Sequence, residues 1–142
     1  MTSQDSPQPS EYRFRELTTA ECLMLLQSKR VGRIVWCGER GPQAVPVNYV
    51  VDNGRILFRT SPYSTIAKAA VEQQVAFEVD DIDEFIETGW SVLVVGTARG
   101  VDAPGDIPRS LEDRPTPWAP GARNLYIRIQ PETVTGRRVV GE

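Results

Sequence analysis

The chain of 142 residues contains no histidine. This removes the side chain that most often acts as general base, binds a metal or ligates haem, and it excludes a Ser-His-Asp or Cys-His hydrolase. Cysteine is almost as scarce. Cys22 falls in an expected helix and Cys37 at an expected strand end, so neither a metal cluster nor a disulfide scaffold is expected and both thiols should stay reduced. No apolar run approaches the roughly 20 residues needed to span a bilayer, and the first residues lack the charged-then-apolar pattern of a signal peptide. A soluble, cytoplasmic protein with no membrane partner is expected. The net charge of −3 gives no bulk attraction for nucleic acid, which is disfavoured as a partner.

What remains suits one domain. An apolar content of 40% is enough for a single core at this length. Residues 1–12, rich in Ser, Gln and Pro, read as a disordered tail, and 13–142 as one domain. The organising stretch runs from Gln43 to Lys68. Asn53-Gly54 between two apolar runs is a hairpin signal, because a type I′ turn needs positive φ at both central residues. The turn sets a register in which Val51 faces Ile56 and Tyr49 faces Phe58 on a core face, while Asp52 faces Arg55 and Val50 faces Leu57 on the other.

Arg59, Thr60 and Ser61 end the second strand, and Ser64-Thr65 opens a short helix expected to reach about Glu72, with Lys68 one turn in. Two cations, several hydroxyls and the amide end of a helix at one strand terminus suit a phosphate. The same residues also fit a solvated strand end followed by an ordinary Ser/Thr cap.

Elsewhere, Thr18-Thr19-Ala20-Glu21 is a capping box that starts a helix running to about Ser28. Strands are expected over Val31–Cys37, Gln74–Val79, Gly89–Arg99 and Asn124–Val140, with Gly96 a bend point. The acidic run from Asp80 to Glu84 reads as a solvated loop. Residues 103–123 hold five of the eleven prolines together with Trp118, a composition that suits a functional flap. About six strands and two short helices point to a mainly β fold, a closed or nearly closed antiparallel barrel.

In order and spacing, Val31-Gly32-Arg33-Ile34, Val45-Pro46-Val47-Asn48-Tyr49, Phe58-Arg59-Thr60, Val75-Ala76-Phe77-Glu78-Val79-Asp80, Gly89-Trp90-Ser91-Val92-Leu93-Val94 and Ile129-Gln130-Pro131-Glu132-Thr133-Val134-Thr135-Gly136-Arg137 resemble the pyridoxamine 5′-phosphate oxidase-like family. This family, the flavin-binding split barrels, includes small bacterial members related to the nitroimidazole-resistance group. The resemblance covers roughly residues 14–139. It implies a six-stranded antiparallel split β-barrel, a homodimer, and FMN at the subunit interface. It places Pro46, Val47 and Asn48 along the isoalloxazine and Arg59, Thr60 and Ser61 at the phosphate and ribityl chain. Ser64, Thr65 and Lys68 would complete the phosphate site, and Trp90 and Ser91 would reach across from the partner. The cation that many relatives carry soon after the Thr is delayed here to Lys68, and the arginine-rich C-terminal signature of true vitamin B6 oxidases is missing. The implied activity is that of a flavin-dependent oxidoreductase acting on a small molecule with a reduced nicotinamide as donor. The alternatives are an F420 (deazaflavin) enzyme on the same fold and a non-catalytic flavin-binding or structural dimer.

Overall fold

The computed structural model describes residues 12–60, 64–101 and 125–141, and among these it shows seven strands and two helices. In chain order they are β1 (Tyr12–Glu16), α1 (Thr19–Gln27), β2 (Val31–Gly38), β3 (Gly41–Asp52), β4 (Arg55–Thr60), α2 (Thr65–Ala69), β5 (Gln74–Asp83), β6 (Thr88–Val101) and β7 (Leu125–Gly141). Strand order β4-β3-β2-β5-β6 is closed by β7, which pairs with β4 on one side and β6 on the other. The result is the expected six-stranded antiparallel barrel. β1 is an addition to it, paired with the far end of β7 from Tyr12↔Gly141 to Glu16↔Arg137. The expected tail lies outside the described residues except for Tyr12, which opens β1.

The hairpin forms as the turn residues dictate. Asn53 and Gly54 have φ of 53° and 78°, and Tyr49↔Phe58, Val50↔Leu57, Val51↔Ile56 and Asp52↔Arg55 are cross-strand pairs. Alternation then divides each strand between two faces. Inward residues build one core in which Phe77 meets Tyr49 edge-on (centroids 4.9 Å apart, 71° between planes) and stacks on Phe58 at 6.5 Å. Gly32 makes room for that cluster, since a Cβ there would stand 2.5 Å from the Phe77 ring. The long β6 and β7 carry a register shift between Val95 and Gly96. Gly96 is required at this point because a Cβ would collide with the Gln130 carbonyl.

α1 begins at the predicted capping box, with Glu21 N–H donating to the Thr18 hydroxyl at 3.1 Å and Thr18 N–H donating to Glu21 Oε1 at 2.9 Å. Its Cys22 and Leu26 are buried. The Tyr49 hydroxyl donates to the Leu26 carbonyl at 2.5 Å, tying the end of the helix to β3.

Two expectations are corrected. α2 is only five residues long and ends well before Glu72, which has φ of 67° and donates its N–H to the Ala98 carbonyl. The acidic run is not a loop as far as Asp83. β5 continues through it because β6 offers partners up to Asp83↔Thr88, while Arg33 and Lys29 meet Asp80 and Asp81 at 3.3 and 2.7 Å. Asp83 then accepts from the amides of Phe85 and Ile86 to shape the turn.

Candidate functional site

Thr60 is the last residue of β4, inward-facing and 3% exposed. Its hydroxyl donates to Ser64 Oγ at 2.9 Å, and Ser64 caps α2 by accepting from Ala67 N–H at 3.1 Å. A serine hydroxyl has one donor and two acceptor positions. Here the Ser64 oxygen meets both the Thr60 hydroxyl and the Ala67 amide. Lys68, one turn further on, shares the Ser64 side of the helix and is exposed. Thr65 is exposed beside them, and Ser61 and the proline-rich segment with Trp118 lie outside the described residues.

Arg59 precedes Thr60 and so faces outward. Its guanidinium carbon lies 5.9 Å from the centroid of the Tyr126 ring, its register partner on β7, and its Nε is buried without a hydrogen-bond partner. A charged donor left without a partner is what an anion satisfies. Ser64 and Lys68 on one side of α2 offer a hydroxyl and an ammonium, donor types that suit a phosphate, while Arg59 stands at the same end of β4 on the face opposite Thr60.

Pro46 and Asn48 lie on the outer face of β3, on the same side as Arg59, whereas Val47 turns inward and packs against the core. Trp90 also turns inward. It is 8% exposed and belongs to the core cluster with Val92 and Val94, so Ser91 is the member of that pair on the outer face. Ser91 lines a groove of about 530 Å³ between β1, β6 and β7, with Phe14, Leu93, Thr135 and Arg137.

Between Pro46 and Ser91 lie two strands bearing a charged cluster. Arg33, paired with Pro46, places Nη1 3.3 Å from both Glu78 Oε1 and Asp80 Oδ2, and Asp80 is in turn paired with Ser91. Desolvation, reinforced by the neighbouring Asp80 and opposed by Arg33, pushes the Glu78 carboxyl up to about 7. The sequence reading passed over this group. Its signal is the cross-strand arrangement of Arg33 with Glu78 and Asp80, which needs the β2–β5 register to be seen. It also passed over Arg55 and Arg128, whose Nε atoms share the condition of Arg59. Arginines at Arg55 and Arg59 around Leu57, all on one face of a strand, are legible in the alternation.

A six-stranded antiparallel barrel with a hydroxyl and cation set where β4 runs into a short helix defines a split-barrel protein. The pyridoxamine 5′-phosphate oxidase family matches residues 18–138, and the chain belongs to it. An uncharacterised protein of Mycobacterium tuberculosis is 36% identical over 132 residues, 89% of this chain and 86% of its own. Among solved structures, an FAD binding protein of Mycobacterium smegmatis superposes with a TM-score of 0.71 at 34% identity, covering 89% of this chain and 98% of its own. A conserved protein of unknown function from Corynebacterium diphtheriae gives 0.73 at 31%, with the same coverage.

Proposed function

We propose that this protein is a flavin-nucleotide oxidoreductase that works as a homodimer on a small molecule, with FMN as the smallest ligand that satisfies the site. The observation that carries the reading is the buried, unpartnered Arg59 Nε at the end of β4, one residue before the Thr60–Ser64 hydroxyl pair. When bound, the flavin supplies the hydride and electron chemistry, and the protein supplies binding, orientation and electrostatics. No side chain needs to act as nucleophile, which accords with a chain that lacks histidine.

The chain's own residues divide the work. Arg59, Ser64 and Lys68 hold the phosphate, with Thr60 fixing the Ser64 rotamer and Thr65 beside it; Ser61, also proposed for this site, lies outside the described residues. Pro46, Val47 and Asn48 border the ring system from β3, the first and last from the outer face and Val47 through the backbone. Ser91 supports the two-copy reading. It lies three strands from Pro46 across the sheet, at least about 14 Å away, too far for both to border one ring edge within a single chain. Family membership and the resemblance of the fold to an FAD binding protein support a flavin.

The experiment is a titration of the apoprotein with FMN, followed by flavin absorbance and fluorescence, on the wild type and on Arg59→Ala and Lys68→Ala. Saturable binding that weakens about tenfold or more in each variant is expected, the loss of one charge-assisted contact. Absence of binding in the wild type, or unchanged affinity in both variants, rejects the site. Size-exclusion chromatography with light scattering tests the homodimer, and reoxidation with a reduced nicotinamide as donor tests turnover.

A further inference from the structure

The adjacent strands β3-β2-β5-β6 carry an outer face that departs from the polar side usual in an antiparallel sheet. The strand registers set its side chains in rows. Ala44, Val35, Ala76 and Val95 form the first row, and Pro46, Arg33, Glu78 and Leu93 the second. Asn48 and Val31 on one side, with Asp80 and Ser91 on the other, lie in the third. Apolar side chains fill the first row and both ends of the second, and Ala44, Pro46, Arg33 and Leu93 are exposed. A contiguous apolar patch rimmed by polar groups marks an interaction surface.

The order within the rows decides what covers this face, because a two-fold dimer needs a patch that complements itself. An axis parallel to the strands and midway between β2 and β5 lays β2 over β5 of a second copy and β3 over its β6. In the first row Ala44 then meets Val95 and Val35 meets Ala76, a small side chain against a larger one each time. In the second, Pro46 meets Leu93 and Arg33 meets Glu78. In the third, Asn48 meets Ser91, two side chains able to exchange hydrogen bonds, while Asp80, over Val31, keeps its bridge to its own Arg33. The Arg33 side chain is 55% exposed and long enough to reach across the roughly 10 Å between packed sheets. An axis across the strands through the second row sets Arg33 against Arg33 and Glu78 against Glu78. Charge order therefore selects the first axis, which gives the aligned packing common between sheets. We propose that two copies of this chain pair through the outer face of β3-β2-β5-β6, with Arg33 of each against Glu78 of the other. This is the interface of the homodimer proposed above and rests on that reading. It also brings Ser91 of one copy to Asn48 of the other, as a site shared by two copies requires.

Exchanging charges between two variants tests the interface by size-exclusion chromatography with light scattering. Arg33→Glu and Glu78→Arg each set like charges against one another across the axis, so each protein alone should dimerise at least about tenfold more weakly than the wild type. Mixed, the two variants restore opposite charges at both contacts, and a heterodimer should form with an affinity within about tenfold of the wild type. A wild type that stays monomeric, variants that dimerise as the wild type does, or a mixture that forms no heterodimer overturns the interface. A dimer that obeys this charge rule in a protein that binds no FMN keeps the interface and rejects the flavin reading instead. Thermal melting checks that each variant is folded. Should either fail to fold, Cys37 of the wild type decides. It follows Val35 on the outer face of β2 and is exposed in the single chain, whereas Cys22 is buried. Pairing shields it, so maleimide labelling at Cys37, read by peptide mass, should be at least about tenfold slower in the native protein than in urea; equal rates overturn the proposal.

Discussion

Tyr49→Phe isolates one hydrogen bond in the middle of the fold. The ring stays, with its edge-on contact to Phe77 at 4.9 Å, so packing volume is preserved and only the hydroxyl is lost. That hydroxyl donates to the Leu26 carbonyl in a setting where Tyr49 is 1% exposed. The carbonyl is one of the last four of α1, which have no partner within the helix. Its loss leaves a buried acceptor unpaired, a cost of about 1–3 kcal/mol. With an unfolding entropy of roughly 2.1 cal/mol/K per residue, about 0.3 kcal/mol/K for 142 residues, the melting temperature should fall by about 3–10 °C. Thermal unfolding of the apoprotein at neutral pH measures it. Alkaline pH supplies a second readout. Burial raises the Tyr49 phenol above its ordinary value of 10, so the unfolded chain loses this proton first. The hydrogen bond's contribution is therefore whole below about pH 10 and declines as pH rises beyond it, and the gap between wild type and variant should narrow there. A Tyr49→Phe protein as stable as the wild type at neutral pH would refute the account of the α1–barrel link.

Three further outcomes follow from the geometry. Gly96→Ala drives a methyl group into the Gln130 backbone, where no side chain can yield; a loss of about 1–3 kcal/mol in urea unfolding is expected, as for overpacking. Gly54→Ala must hold φ near 78° and should cost about 1 kcal/mol in the same assay. Because folding raises the Glu78 carboxyl from 4.5 to about 7, its protonated form stabilises the fold at low pH. That contribution is full below pH 4.5 and lost as pH rises through about 7. Glu78→Gln should flatten the decline in urea midpoint between pH about 5 and about 8, and a variant with the wild-type slope would show that another group is responsible.

What the sequence discloses depends on how far apart the interacting residues are. The β3–β4 hairpin was legible because Asn53-Gly54 carries its own instruction, and the capping box at Thr18 did the same for α1. The Thr60–Ser64 hydroxyl contact and the Ser64 cap of α2 were within reach of the sequence because a few consecutive residues contain them. By contrast, Tyr12–Glu16 was not read as a strand, since its partner begins more than a hundred residues later. The acidic run read as loop because nothing adjacent to it reveals that Lys29 and Arg33 neutralise it from β2 and its approach. Trp90 could stand in the core or at the rim as far as its place at a strand's entry tells, and its alternation with Val92 and Val94 puts it inside. Arg128 joins Arg55 and Arg59 only through the β4–β7 register, which no local pattern specifies.

The position of β7 has a consequence for synthesis. Before residues 125–141 leave the ribosome, the sheet β4-β3-β2-β5-β6 has two open edges, and β1, made first, has no strand to join. Open edges are templates for pairing with other chains. In the finished topology both of those edges are covered by one late-synthesised strand. A single 17-residue strand then seals both edges and captures the N-terminal strand in the same event.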